Sequence, residues 1–153
     1  MPEKIVISDT SCLIVLTRLS ALSILKSLYC QIIVTEEIAD EFGETLPNWI
    51  EIQKVHNKNF QKALEQSLDN GEASAIALAS EFDDVLLIMD DLRGRKEALR
   101  LGYRITGTLG VLVKAKQEKT IEQIKPYLTK LREIGFRMSE KIETELLRKT
   151  GES

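Results

Sequence analysis

The chain has 153 residues, 43% of them apolar and 29% charged, with eight Gly and three Pro. This composition fits one compact domain that can bury a core, and it excludes disordered, collagen-like and low-complexity chains. The longest apolar runs fall far short of the roughly 20 residues that a membrane helix needs, and no basic stretch leads into a long apolar one near the amino terminus. We therefore expect a soluble, cytoplasmic protein without a membrane partner.

The net charge of −3 hides a division of the chain into an acidic and a basic part. Residues 1–91 contain 6 Lys and Arg against 16 Asp and Glu, whereas residues 92–153 contain 15 against 8. This division indicates carboxylates gathered in one place and a surface that faces an anion in another. The alternative is that the exposed helices simply differ in charge.

Histidine and cysteine are too few to build the usual sites for these residues. Cys12 and Cys30 lie in apolar segments without the spacing of metal ligands, and His56 is the only histidine. A zinc site is therefore not expected, and neither is a Ser-His-Asp or Cys-His catalytic centre.

Short β-rich runs alternate with helix-length segments, which predicts an α/β domain built around a parallel sheet. The run Val85–Met89 is the most hydrophobic and is expected at the centre of the sheet, whereas Trp49–Val55 alternates in polarity as an edge strand does. In chain order, the predicted strands are Lys4–Ser8, Gln31–Val34, Trp49–Val55, Val85–Met89 and Tyr103–Thr106.

The segments between and after these strands are predicted to be helices. Thr35 is expected to cap the helix that ends at Phe42, Gly102 to end the basic helix, and Pro126 to kink a later one. The predicted helices are Ser11–Leu28, Glu36–Phe42, Lys58–Leu68, Glu72–Phe82, Leu92–Leu101, Thr108–Lys116, Ile121–Glu133 and Ser139–Arg148.

Acidic residues fall where predicted strands end or where the next helices lie. Asp9 ends the first strand, Glu41 lies on the helix after the second, Glu72 opens the Ala-rich helix, and Asp90 and Asp91 follow Val85–Met89. The carboxyl ends of parallel strands meet at one edge of a sheet, where such proteins place their sites. We therefore examine these residues as candidates for one site.

Each candidate also has an ordinary structural explanation. Asp9, or a neighbouring Thr or Ser, fits as a helix N-cap, and either Asp90 or Asp91 fits as the cap of the basic helix. Asp69 and Glu72 have the spacing of a capping box, and Glu41 fits as a solvated charge.

Taken together, these carboxylates predict a metal site. Two carboxylates about 4 Å apart repel by roughly 4 kcal/mol at an effective dielectric of 20, so a cluster of them is costly without a cation. Oxygen ligands without His or Cys suit Mg²⁺ or Mn²⁺. Such ions activate water and neutralise phosphodiester charge, which makes phosphodiester hydrolysis the expected reaction.

Along almost its whole length, the sequence resembles the PIN-domain family of small magnesium-dependent nucleases, especially a branch of predicted nucleic-acid-binding PIN proteins. The resemblance rests on VISDTSCLIVL, TEEIADEF, the P-x-W-I segment at Pro47–Ile50, GEASAIALA, LLIMDDLRGRKEALRLGY and GTLGVLVKAK, in this order. It implies a three-layer α/β/α sandwich with a central parallel sheet of about five strands. It also implies one domain over residues 1–153, with the C-terminal helices (about 120–149) packing on it or forming an interface.

The resemblance also implies roles for individual residues and a function. The acidic quartet of the family falls on Asp9, Glu41, Glu72 and one of Asp90 and Asp91, of which we favour Asp91. Ser11 and Thr108 would be polar neighbours of the Mg²⁺ or Mn²⁺ ions. The implied activity is endoribonuclease cleavage of RNA, in many such proteins as a VapC-like toxin that a small antitoxin protein inhibits.

The basic helix predicts a surface for the RNA backbone. Arg93, Arg95, Lys96 and Arg100 follow the proposed ligand Asp91 directly, and contacts to phosphate would add affinity without sequence preference. The alternative is that these residues form ion pairs with the acidic half of the chain.

Two other protein classes that gather carboxylates at strand ends are excluded by single residues of this chain. A receiver domain and a dehalogenase-like phosphatase each require an acidic residue near the first strand that this chain lacks. The alternative that remains open is a PIN-like module that binds nucleic acid or protein with little or no nuclease activity. A homodimer is expected from an apolar stripe, which could instead complete the core of a monomer; its members are Ile121, Ile124, Leu128 and Leu131.

Overall fold

The computed structural model describes residues 5–152, and it confirms the α/β fold. Five parallel strands form one sheet in the order β3-β2-β1-β4-β5, with helices on both faces. The strands are β1 (Ile5–Ser8), β2 (Gln31–Thr35), β3 (Ile50–Gln53), β4 (Leu86–Ile88) and β5 (Arg104–Thr106). The first predicted strand began at Lys4, which lies outside the described residues.

The strand order explains the hydrophobicity of the strands, with one correction. The edge position predicted for Trp49–Val55 is confirmed by β3. The strand β4 is an interior strand with three buried residues, but the middle position belongs to β1 rather than to β4. Both strands are apolar because each has a partner strand on either side and helices above and below.

Nine helices lie within the described residues, and the first seven pack against one another around the sheet. The helices α4, α5 and α6 pack together, α7 packs on α1 and α2, and α3 contacts both α1 and α5. In chain order they are α1 (Thr10–Arg18), α2 (Ser23–Leu28), α3 (Glu36–Phe42), α4 (Lys58–Leu64), α5 (Asn70–Ala79), α6 (Leu92–Arg100), α7 (Thr108–Gln117), α8 (Lys125–Glu133) and α9 (Glu140–Lys149).

The predicted long helix Ser11–Leu28 is in fact two helices. Ser20 has a positive φ of 55°, and the Ala21 N–H donates to the Leu16 carbonyl at 2.8 Å, which is the hydrogen bond that closes a Schellman motif. The leucine spacing hid this break, because Leu19 at the end of α1 and Leu25 in α2 are both buried in the same core.

Two further helix boundaries differ from the prediction for local reasons. Pro126 lies in the first turn of α8 and begins that helix rather than kinking it, because the first turn does not use the missing N–H. The helix α5 begins at Asn70, two residues before Glu72, since Asp69 is its N-cap.

The apolar stripe near the carboxyl end belongs to the core of the single chain. Ile124, Leu128 and Leu131 are fully buried, and Ile121 is 8% exposed. The alternative explanation, that the stripe completes the core of one chain, therefore accounts for these residues. The homodimer stays a prediction, and the stripe gives it no support. None of the helices in residues 5–152 has the length and apolar character needed to cross a bilayer.

The sheet reverses its direction of growth beside β1. The chain proceeds outward from β1 through β2 to β3, then continues on the other side of β1 with β4 and β5. Such a reversal between neighbouring parallel strands opens a crevice at their carboxyl ends, which is where α/β proteins bind ligands. Asp9 follows β1, and Asp90 and Asp91 come shortly after β4, so this crevice receives acidic residues from both strands.

Candidate active site

Four of the predicted carboxylates line one cleft at this crevice. The cleft has a volume of about 370 Å³, and Asp9, Glu41, Glu72 and Asp91 all face it. We call this site the acidic cleft; its remaining lining residues are Thr10, Ser11, Ile14 and Asp69. Residues from β1, α1, α3, α5 and the start of α6 therefore meet in one place.

Asp9 is both a helix cap and a lining residue of the acidic cleft. One carboxylate oxygen accepts the Cys12 N–H at 2.8 Å, which caps α1, and the other accepts the Asp90 N–H at 3.0 Å. The side chain thus joins the ends of β1 and β4. Burial, with the nearby charges of Asp90 and Asp69, raises the pKa of Asp9 to about 7 although both hydrogen bonds act to lower it.

Glu41 reaches the acidic cleft from α3 and is held there by Thr10. The Thr10 hydroxyl donates to Glu41 Oε1, and this threonine is buried at the start of α1. Gly71 keeps the space for the carboxylate, since a Cβ at that position would lie 2.9 Å from the same oxygen. The position of Glu41 thus depends on one hydroxyl group and one missing side chain.

Glu72 lies in the most crowded part of the acidic cleft. Its pKa is raised to about 8, first by burial, then by the charges of Asp69 and Asp91 and by a hydrogen bond with the Asp91 carboxyl group. Gly94 of α6 lets that helix approach closely, because a Cβ there would lie 3.2 Å from Glu72 Oε2. The protein therefore packs a carboxyl group against two others at a cost to its own stability.

The donor chemistry of the acidic cleft fits a divalent cation with a preference for oxygen ligands. All its charged groups are carboxylates, and cations such as Mg²⁺ and Mn²⁺ favour that set. Within residues 5–152, no three acidic, His or Cys groups stand close enough to ligate one ion in the present rotamers. Rotation of the Glu41, Glu72 and Asp91 side chains, all of which line the acidic cleft, would be required to gather them on one ion.

Asp90 has a different position from Asp91, although the two are adjacent. The Asp90 carboxylate accepts the Thr108 N–H at 2.7 Å and the Thr108 hydroxyl at 2.5 Å. It thereby caps α7, whose own N-cap residue, Gly107, has no side chain. Asp91 is the N-cap residue of α6 but makes no capping hydrogen bond through its side chain, so its carboxylate remains in the acidic cleft.

Variants of the two aspartates distinguish these positions. If a divalent ion binds in the acidic cleft, added Mn²⁺ is expected to raise the melting temperature of the protein. We expect Asp90→Ala to lower the free energy of unfolding by about 1–2 kcal/mol, as loss of a helix cap does, and to leave this rise unchanged. Asp91→Ala is expected to leave the melting temperature of the metal-free protein unchanged or higher, and to remove the Mn²⁺ effect. Thermal unfolding with and without Mn²⁺ measures both, and the opposite pattern would exchange the two assignments.

The two predicted polar neighbours of the metal and two of the predicted basic residues have different surroundings. Ser11 is exposed in the acidic cleft, whereas Thr108 is fully buried at its bond to Asp90. Arg95 turns inward and donates to the Met89 carbonyl at 2.8 Å, so part of its guanidinium is engaged within the fold. Arg100 forms an ion pair with Glu97 of its own helix.

Arg93 and Lys96 are the basic residues of α6 that remain available. Both are exposed, and neither forms a hydrogen bond or ion pair with a described residue. Arg93 lines a groove of about 480 Å³ together with Asp69, Glu72 and Asp91, so this groove continues from the acidic cleft. Lys96 and Arg93 then line the next depression along α6. Of the four basic residues of the predicted surface, these two make no hydrogen bond or ion pair within residues 5–152.

Sequence reasoning missed two residues of the acidic cleft. Thr10 entered only as an alternative helix cap, and Asp69 only as half of a capping box. Asp69 does cap α5, accepting the Glu72 N–H at 2.9 Å, but it also faces the cleft. The D-x-x-E spacing was thus a signal of the site as well, because it places two carboxylates on the first turn of one helix.

Comparisons with known proteins agree with the geometry of the fold. A family model described as a PIN domain matches residues 5–152, which includes every strand and all residues of the acidic cleft. The comparison with curated proteins produced no match, and neither did the comparison with solved structures.

Proposed function

Because the chain belongs to the PIN-domain family, we propose that it is a metal-dependent endoribonuclease that hydrolyses RNA phosphodiester bonds. PIN domains are generally nucleases, so the fold itself is of the nuclease type. One observation carries the proposal beyond the fold: Asp9, Glu41, Glu72 and Asp91 converge on one cleft at the switch point of the sheet. Asp9 and Glu72 are buried, Glu41 and Asp91 are exposed, and a bound cation would offset the repulsion among the four carboxylates.

The residues of the acidic cleft have separable parts in this mechanism. When bound, Mg²⁺ or Mn²⁺ would activate a water molecule for attack on the phosphorus and neutralise charge on the phosphodiester. Asp9 would anchor the ion, since its two backbone hydrogen bonds fix its position. Glu41, Glu72 and Asp91 would complete the ligand set, with Thr10 orienting Glu41. Arg93 would hold a phosphate beside the cleft.

Cleavage of labelled single-stranded RNA tests the proposal directly. We expect cleavage with Mg²⁺ or Mn²⁺ and none with EDTA, and we expect calorimetry to detect binding of Mn²⁺ to the protein alone. The second candidate function is a PIN-like module that binds nucleic acid or protein without cleaving. RNA binding that is indifferent to metal, together with intact RNA after long incubation, would establish that function instead.

We further propose that the protein acts in the cytoplasm as the toxin of a toxin–antitoxin pair. Family membership and the VapC-like resemblance of the sequence support this role. We expect expression of the chain to arrest growth, and co-expression of a small protein encoded beside it to restore growth. Normal growth on expression of an enzyme that is active in vitro would indicate a role in RNA processing rather than toxicity.

The basic face of α6 yields a prediction about salt dependence. Replacing both Arg93 and Lys96 by Ala is expected to weaken RNA binding across unrelated sequences and to flatten the dependence of log affinity on log salt by about 1.4, at roughly 0.7 per phosphate contact. The control is Lys54→Ala with Lys62→Ala, two exposed lysines outside the grooves. Equal slopes for the two double variants would show that the RNA path does not follow α6.

A further inference from the structure

A second groove adjoins the acidic cleft beside the N-terminus of α6. It has a volume of about 360 Å³, and it shares Ser11 and Asp91 with the acidic cleft. Its far wall comes from two distant parts of the chain: Arg18 in the last turn of α1, and Phe136 with Arg137 in the segment after α8. We call it the Phe136 groove.

Two guanidinium groups in the Phe136 groove have no partner among the described residues. Arg18 and Arg137 are both exposed, and neither forms an ion pair or a hydrogen bond within residues 5–152. The nearest carboxylates of the groove are Asp90, which is engaged by Thr108, and Asp91, which faces Glu72. Two arginines are therefore held beside an acidic site without being neutralised by it, an arrangement that suits a polyanion entering the cleft.

The backbone that carries the aromatic ring of this groove has a fixed conformation. Gly135 has a positive φ of 87°. The Phe136 N–H donates to the Leu131 carbonyl at 2.9 Å, and the Gly135 N–H donates to the Arg132 carbonyl at 3.1 Å. These two bonds form a complete Schellman motif at the end of α8. Phe136 is half-buried against the core, so one part of the side chain is anchored and the rest lines the groove.

We propose that the Phe136 groove binds a single-stranded stretch of nucleic acid, with phosphates beside Arg18 and Arg137 and one base stacked on Phe136. A preset aromatic ring flanked by arginines is the combination that single-strand binding proteins use. A duplex keeps its bases stacked inside and cannot offer one to the ring. Asp91 lines this groove, the acidic cleft and the Arg93 groove, so one strand would cross the cleft from Arg93 to Phe136.

This assignment of a substrate path rests on the proposed function, but binding tests it separately from cleavage. Fluorescence anisotropy is measured with Ca²⁺, another oxygen-ligated divalent ion, in place of the Mg²⁺ that is expected to support cleavage. The probes are short labelled single-stranded RNA, single-stranded DNA and duplex RNA, and gels verify that each probe stays intact through the titration. The variants are Phe136→Leu, which keeps apolar volume but removes the ring face, Phe136→Tyr, which restores it, and Arg18→Gln with Arg137→Gln. The control is Lys54→Gln with Lys62→Gln.

The expected pattern is specific to single strands. Phe136→Leu is expected to weaken single-strand binding about tenfold and Phe136→Tyr to bind as the parent does, while duplex binding is affected by neither. The double arginine variant is expected to lower the log–log salt slope by about 1.4, and the lysine control to change it far less. Equal loss for RNA and DNA would assign the ring to base stacking alone, whereas loss for RNA alone would add recognition of the 2′-hydroxyl.

Three outcomes overturn the inference. Parent-like single-strand binding by a folded Phe136→Leu protein would exclude stacking, and an arginine variant equal to the lysine control would exclude the phosphate contacts. Duplex binding that falls with single-strand binding would exclude the single-strand preference. If Phe136→Leu lowers the melting temperature, its binding result is set aside. The arginine variant, which changes only exposed side chains, then decides whether the groove binds single strands. If the parent binds by this groove but cleaves nothing, the groove stands and the nuclease proposal fails.

Discussion

The change Glu72→Gln is expected to abolish metal-dependent RNA cleavage while raising the melting temperature of the metal-free protein at pH 8. Glu72 is 8% exposed and is crowded by Asp69 and Asp91, so a neutral side chain of the same shape removes repulsion. Relief of about 1–2 kcal/mol corresponds to a rise of roughly 3–6 °C for a chain of this size. Stabilisation by Mn²⁺ should largely disappear, because a ligand of the ion is lost.

A matched control and a second position sharpen this test. Glu122→Gln removes one charge from an exposed residue between α7 and α8, and it is expected to change neither cleavage nor the Mn²⁺ effect. Asp9→Asn is less clean, because both carboxylate oxygens accept backbone N–H groups and the amide would set a donor against one of them. A Glu72→Gln protein that cleaves at the parent rate would show that Glu72 is only a crowded capping-box residue.

The metal-free protein is expected to lose stability as the pH rises from about 5 to 8. Asp9 and Glu72 have pKa values of about 7 and about 8, above the ordinary values of 3.8 and 4.5 that they regain on unfolding. Between these limits the folded state holds more protons than the unfolded chain, so the free energy of unfolding falls with increasing pH. Each group costs up to about 1.4 kcal/mol per pH unit below its folded pKa, so the expected decrease in melting temperature is on the order of 10 °C.

Added Mn²⁺ is expected to reverse this pH dependence. The ion binds the deprotonated carboxylates, so its stabilisation should grow from pH 5 to 8. Ion-paired carboxylates such as Glu97, whose pKa is lowered by the hydrogen bond from Arg100, act in the opposite direction only at lower pH. Thermal unfolding across the pH range with EDTA or Mn²⁺ measures both curves. A metal-free curve that rises toward pH 8 would contradict the raised pKa values.

The sequence by itself determined the elements and the acidic character of the site. Alternation of apolar runs and helical spacing located all five strands, because burial on both faces of a parallel sheet demands continuous apolar runs. Local capping signals at Thr35 and Asp69 were equally readable, since a cap depends on residues within one turn. Asp9 and Glu72 were found because they lie at a strand end and a helix start, and Glu41 because it lies on the short helix that follows the second strand.

The tertiary structure alone decided how neighbouring residues divide their tasks. Asp90 and Asp91 are adjacent in sequence, and only the approach of α7 assigns Asp90 to a cap and leaves Asp91 in the cleft. In the sequence, Arg95 cannot be distinguished from the other basic residues of α6, and only the structure shows its hydrogen bond to the Met89 carbonyl. Arg18 and Phe136 lie more than a hundred positions apart, and no periodicity relates them. Sequence patterns report interactions within a turn or along a strand, whereas these assignments depend on contacts that only the packed chain creates.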